Sequence, residues 1–317
     1  MKRKQTTKRV LWTLVTIFIL VNIVACFHAY KFTHFTDNNV MKTKDARYLS
    51  TTDKVSTLFF GIDNPRPINK STPTQKYETI KLQSNKMIEC WSIKTENAKG
   101  TIILFHGYCG EKSSMLEASD IFLQLGYNTF LVDFMGSGGS EGNQTTIGFK
   151  EAEEVKTCFD YLTKNGEQKI YLFGTSMGAA AILKACNDYE IKPAAIILEC
   201  PYGTMYQTTC ARFNTMHVPS FPLAGLLDFW GGVQNDFWAF SLEPTVYAKS
   251  VKCPTLLIYG EKDEKVSRKE IDEIYSNLNG KKELKTFPLA GHANYLKKYK
   301  QEWTVDVASF LASCGNN

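Results

Sequence analysis

Lys169-Ile170-Tyr171-Leu172-Phe173-Gly174-Thr175-Ser176-Met177-Gly178-Ala179-Ala180-Ala181 is an apolar run of strand type that turns through Gly-x-Ser-x-Gly into a helix of small residues. A buried strand before the turn and a helix after it are what distinguish a nucleophile elbow from a chance pentapeptide. The sharp turn forces the serine into a strained backbone conformation, and the flanking glycines remove Cβ atoms that would meet the crossing backbone. The hydroxyl of Ser176 is thereby expected to stand clear of the sheet at a helix N-terminus, whose dipole favours developing negative charge.

Outward from that stretch, short β-type runs alternate with amphipathic helical ones. The runs at 79–84 and 87–94 alternate apolar with polar, as an antiparallel edge open to solvent on one side would. Those at 101–105, 128–133, 169–173, 194–199 and 254–259 are apolar almost throughout, as strands covered on both faces must be, and 283–287 completes the set. Helical patterns follow at 113–125, 149–164, 177–187, 268–278 and 302–312. The fold class is therefore α/β: a mostly parallel, doubly wound sheet of about eight strands with helices on both faces. Residues 201–245 break the alternation and are rich in Gly, Pro and aromatics, among them Phe213, Phe221, Trp230 and Trp238. So many aromatics in one long connection are expected to form a small cap over the site.

A serine hydroxyl is a weak nucleophile at neutral pH and needs a base, most often histidine. Of the five histidines, His28 and His34 lie in or beside the N-terminal apolar segment, His217 lies in the cap, and His106 ends a strand. His292, on the loop after the last strand, remains as the candidate base. The acid that orients it should follow the strand at 254–259, where Glu261 and Asp263 both stand. Asp263 is preferred because Glu261 leaves the strand too early for its carboxylate to swing towards His292. For the oxyanion, the expected donors are the backbone N–H groups of Met177 and Tyr108, with His106 bracing the loop that carries Tyr108. This scheme requires no metal and no cofactor.

The net charge of +5 has a local origin, since Lys2, Arg3, Lys4, Lys8 and Arg9 supply it, and no basic stripe for nucleic acid remains. From Val10 to Phe27 only Thr13, Thr16 and Asn22 interrupt an apolar run long enough to cross a bilayer core. Residues 1–30 are expected to be either a signal anchor or a lipoprotein signal, in which Ile23-Val24-Ala25-Cys26 would be the processing site and Cys26 the acylated residue. Both tether the protein to a membrane, and the charge bias puts the rest of the chain on the extracytoplasmic side. Residues 31–75, polar and carrying Pro65, Pro67 and Pro73, are expected to be a stalk or lid, with the catalytic domain at 76–317. Nine cysteines are scattered without metal-ligand spacing; Cys90, Cys158, Cys186 and Cys253 suit the core, and pairing of Cys200 with Cys210 is left open. Asn69 and Asn143 fit the glycosylation acceptor pattern.

The set His106-Gly107, Asp133-Phe134-Met135-Gly136-Ser137-Gly138-Gly139-Ser140, Gly174-Thr175-Ser176-Met177-Gly178, Leu198-Glu199-Cys200-Pro201-Tyr202, Pro254 to Asp263 and Gly291-His292 resembles the serine aminopeptidase-like group of α/β-hydrolases. The chain order Ser, Asp, His is also that of α/β-hydrolases. The resemblance runs over about residues 76–317 and departs at Met135, where the group usually has Arg. It implies the α/β-hydrolase fold and an acyl-serine mechanism, whose substrate could be an ester, a thioester or an amide. Together with the aromatic cap and the tether, it leads to the expectation of a small acyl substrate with an apolar part. A non-catalytic binding protein on the same fold is the alternative from a different class.

Overall fold

The computed structural model describes residues 2–36, 40–44, 48–292 and 295–314. Eight strands form one sheet in the order β1-β2-β4-β3-β5-β6-β7-β8. They are β1 (Tyr77–Gln83), β2 (Met87–Ile93), β3 (Thr101–Phe105), β4 (Asn128–Asp133), β5 (Ile170–Thr175), β6 (Ala195–Glu199), β7 (Thr255–Gly260) and β8 (Lys282–Phe287). The pairs β1–β2 and β2–β4 are antiparallel, and every later pair is parallel.

Because successive side chains on a strand point to opposite faces, the apolar strands feed two cores at once. Ile103, Phe105, Leu172 and Leu198 join one of them, and Ile102, Leu104, Phe173 and Ile197 the other. Helices α4 (Glu151–Lys164), α5 (Met177–Asp188) and α9 (Arg268–Asn277) pack on the first face. Helices α3 (Leu116–Gln124) and α10 (Tyr295–Cys314) cover the second. This is the doubly wound architecture read from the sequence. The last helix begins seven residues earlier than its apolar pattern indicates, because residues 295–301 also wind as helix, interrupted by a kink at Tyr299 (φ −135°, ψ 40°).

The largest departure concerns residues 31–75, of which 37–39 and 45–47 lie outside the described residues. The described ones among them lie against the rest of the fold. Helix α1 (Lys2–Thr33) runs straight into the body, burying Ala29 at 1% exposure, and the chain then lies across the loop that follows β4. Thr145 N–H donates to Thr33 O (2.8 Å), Phe35 N–H to Asn143 O (2.7 Å) and Gly138 N–H to Pro67 O (2.9 Å). The Arg66 guanidinium donates to the carbonyls of Gly138 (2.9 Å) and Gly142 (3.2 Å). A helix α2 (Thr51–Phe60), N-capped by Ser50, forms in between. Asn69 is no free glycan acceptor here: its amide donates to buried Asp133 (2.9 Å) and its oxygen accepts from Ser113 N–H (3.1 Å).

The connection from β6 to β7 folds as helices α6 (Met205–Thr215) and α7 (Leu223–Gln234) and the short α8 (Pro244–Tyr247). Helix α7 lies along α1, where Trp230 donates to Asn22 (3.1 Å) and Gln234 to the carbonyl of Cys26 (2.8 Å). All nine cysteines, including Cys200 and Cys210, are free.

Candidate active site

Strand β5 ends at Thr175, and Ser176 follows with φ 51° and ψ −107°, a conformation L-residues avoid unless the surroundings enforce it. The enforcement is visible at the two glycines. A Cβ at Gly174 would come within 2.7 Å of the Ala179 amide, and one at Gly178 within 2.3 Å of the Phe105 carbonyl. Ser176 N–H donates to Glu199 O (2.8 Å), which ties the turn to the end of β6.

The structure brings Ser176, His292 and Asp263 together. The Ser176 Oγ stands 2.9 Å from His292 Nε2, and His292 Nδ1 stands 2.8 Å from Asp263 Oδ2. An ionised carboxylate only accepts, so the Nδ1 proton lies towards Asp263 and the Nε2 lone pair faces the serine hydroxyl. Asp263 is itself fixed: its Oδ1 accepts from the amides of Lys265 (2.8 Å) and Val266 (3.0 Å), and its side chain is fully enclosed. Glu261 points elsewhere and takes a hydrogen bond from Thr286 (2.9 Å). The loop that carries His292 is held by the Cys200 thiol, which donates to His292 O (3.0 Å).

The loop after β3 passes close to the Ser176 turn: a Cβ built on Gly107, the residue before Tyr108, would stand 3.7 Å from that of Ser176. Met177 is the first residue of α5, where backbone N–H groups have no helical acceptor. Among the described residues, neither Tyr108 N–H nor Met177 N–H donates to a backbone carbonyl. His106 braces this loop. Its Nε2 accepts from Phe134 N–H (3.1 Å), so Nδ1 carries the proton and donates to Gly107 O (2.8 Å), and burial lowers its pKa. A buried, neutral ring with both nitrogens in use has none left to serve as a base.

Met135, where the sequence departs from the group's Arg, is buried, and its amide donates to Glu154 (3.0 Å). A cation close to this motif comes from Lys112 instead. Its ammonium is fully buried, paired with Asp133 and Glu89 and placed 4.4 Å above the Trp91 ring. Two residues beside the site went unremarked in the sequence as functional. Glu199 accepts from Trp303 (2.7 Å) and Thr175 (3.0 Å) behind Ser176, and burial pushes its pKa up to about 7. Arg212 of α6 places its guanidinium carbon 3.9 Å from the Phe32 ring centre and 4.9 Å from that of Tyr108. Glu199 falls inside a quoted motif, but nothing in the linear pattern singles out Arg212.

The same fold is found among known proteins. The family model "Serine aminopeptidase, S33" matches residues 96–226, a segment that contains Ser176 but ends before Asp263 and His292. The esterase Pf2001 of Pyrococcus furiosus superposes with a TM-score of 0.67 at 23% identity, over 78% of this chain and 96% of its own. The chain therefore has the α/β-hydrolase fold, as the sequence resemblance implied. Among curated relatives, an uncharacterised membrane protein of Saccharomyces cerevisiae, YNL320W, is 26% identical over 71% of this chain and 76% of its own length. The lysophosphatidylserine lipase ABHD12 of Danio rerio is 22% identical over 66% of this chain and 56% of its own length.

Proposed function

We propose that the chain is a membrane-anchored serine hydrolase that cleaves carboxylic esters of molecules with an apolar part. The observation that carries this reading is the unbroken hydrogen-bonded line from Ser176 Oγ through His292 to Asp263, each step under 3 Å. Ser176 Oγ bonds to the substrate carbonyl carbon while His292 Nε2 takes its proton, and the carbonyl electron pair moves onto oxygen. Tyr108 N–H and Met177 N–H receive that oxyanion; losing one such donor typically costs about 3 to 4 kcal/mol of transition-state stabilisation. The intermediate collapses, the alkoxide leaves with the proton from His292, and an acyl-Ser176 ester remains. Water then repeats the sequence from the other side, with His292 again as base, and releases the acid. Asp263 holds the imidazole in the required tautomer and stabilises the imidazolium between steps.

The ester reading draws on the names of the esterase and lipase relatives. For an aminopeptidase the surroundings are less suitable, since the charged group beside Tyr108 is the cation Arg212, not an acceptor for a substrate ammonium. The anchor is proposed to be α1, retained. It is the one helix among the described residues long and apolar enough to cross a membrane, and its basic start favours a cytoplasmic N-terminus. Retention is favoured over acylation of Cys26 because Asn22, before the processing point, pairs with Trp230 of the insertion. Residues 76–317 are proposed as the catalytic domain, with 201–245 as its cap.

The test is covalent labelling with a fluorophosphonate, which should mark the wild type and leave Ser176→Ala unmarked. A folded wild type that takes no label defeats the proposal.

A further inference from the structure

A groove of about 280 Å³ lies between the second half of α1, helix α2 and the α6–α7 pair. Leu20 and Val24 of α1, Leu58 and Phe59 of α2, and Phe213 and Leu227 of the insertion give it apolar walls. Leu20 and Val24 belong to the apolar run read as the bilayer span, so this end of the groove opens where hydrocarbon would be. The surface around it is apolar as well: Phe59, Phe60, Phe221 and Phe229 are all exposed. Exposed aromatics in such number are a liability in water but suit a lipid boundary.

The other end is separated from Tyr108 by a single ring. Phe32 lines the groove and stacks on Tyr108 at 5.4 Å, and Tyr108 O–H donates to Phe32 O (2.6 Å). The amide of this Tyr108 is a proposed oxyanion donor. Arg212 also lines the groove here, above both rings. Among the described residues its guanidinium has no hydrogen-bond or ion-pair partner. Asp228 of α7, the carboxyl group that acts on it electrostatically, has one oxygen taken by Thr209 (2.6 Å), and burial pushes its pKa up to about 6. A half-buried guanidinium with unused donors at the end of an apolar channel is costly unless an anion completes it.

We propose that the groove takes the acyl chain of a monoacyl phospholipid drawn sideways from the bilayer, with Arg212 on the phosphate and the ester carbonyl delivered to Ser176. A phosphate matches the planar donor fork of arginine, and it lies at the same end of such a lipid as the ester. The groove volume, about 280 Å³, lies just below the range for small-molecule sites, about 300 to 1,000 Å³, which suits one chain and not two. The inference rests on Ser176 as nucleophile but can be tested without turnover.

Full-length Ser176→Ala protein in nanodiscs is photolabelled with lysophosphatidylglycerol or monoacylglycerol, each carrying a diazirine in its acyl chain. Both should label peptides of α1 from residue 20 onward, α2 and α6–α7. Adding Arg212→Gln should cut labelling by the phospholipid about tenfold and labelling by the glyceride far less, while Val24→Trp, which fills the groove, should cut both. Inorganic phosphate should not displace the phospholipid, whose chain supplies much of the binding. Label on other faces, equal loss of both probes in Arg212→Gln, or displacement by phosphate alone overturns the proposal. Failure of the hydrolase reading shows separately, as wild-type protein that takes no fluorophosphonate.

Discussion

The loops at the ends of β5 and β7 and the assembly of α1, α2, α6 and α7 lie next to each other and are built in opposite ways. In the first, backbone geometry does the positioning: two glycines permit the Ser176 turn, and two amides clamp Asp263. The second is joined by individual side chains from distant parts of the sequence, Asn22 to Trp230, Cys26 to Gln234 and Phe32 to Tyr108. Backbone-built sites leave motifs. Side-chain-built assemblies leave only composition, and for that reason anchor, stalk and cap look like three separate things until they are folded.

If the backbone-built half is the chemical one, Ser176→Ala should lower kcat by roughly 10⁴-fold or more with little change in melting temperature. Asp263→Asn should cost about 10³- to 10⁴-fold by allowing the wrong imidazole tautomer. Steady-state kinetics on a p-nitrophenyl ester read both, and near-wild-type turnover in either would relocate the site.

Glu199 links the Ser176 turn to α10 through Thr175 and Trp303, and its buried carboxyl gives a pH signature. Its folded pKa of about 7 exceeds the usual 4.5, so the folded state holds the proton more tightly than the unfolded one. The associated stability is complete below pH 4.5 and is lost as pH rises through 7, up to about 3 kcal/mol. Denaturant melts of Glu199→Gln should therefore lack that decline and exceed the wild type at pH 8; parallel curves would show the carboxyl titrates normally.

The side-chain-built half is expected to govern substrate reach. A chain starting at Lys31 should lose about tenfold in kcat/KM on long-chain esters, since each buried methylene is worth about 0.8 kcal/mol. Acetyl esters should suffer much less. Uniform loss would make α1 a purely structural element. The smallest effect belongs to Glu261→Gln, within about twofold of wild type on the same ester, because a solvent-side hydrogen bond contributes little.

What could be read from the chain follows the same division. Strand limits agree to within two residues where Ile102-Ile103-Leu104-Phe105 and its neighbours are apolar on both faces, since nothing else satisfies that pattern. The proximity of Ser176 and His292 was legible from the elbow and from elimination among five histidines. Choosing Asp263 over Glu261 depended on loop direction, which the amides of Lys265 and Val266 set and no periodicity encodes. Residues 62–75 looked like a stalk because their contacts run through Arg66 and Asn69 to backbone and buried polar groups, not through an apolar face. Arg212 was invisible for a related reason: its environment comes from Phe32, almost two hundred positions away.

The short path from Phe27 to Phe32 also sets a range of action. At about 1.5 Å of rise per residue, the five steps between the last residue of the apolar run and the ring stacked on Tyr108 span only about 8 Å. With α1 in a bilayer, the proposed catalytic mouth would have no leash to extend and would sit at the headgroups of its own membrane. Such an enzyme would work in cis, on molecules that share or touch that membrane, and a target displayed on a facing membrane would be out of range however well it fitted the pocket.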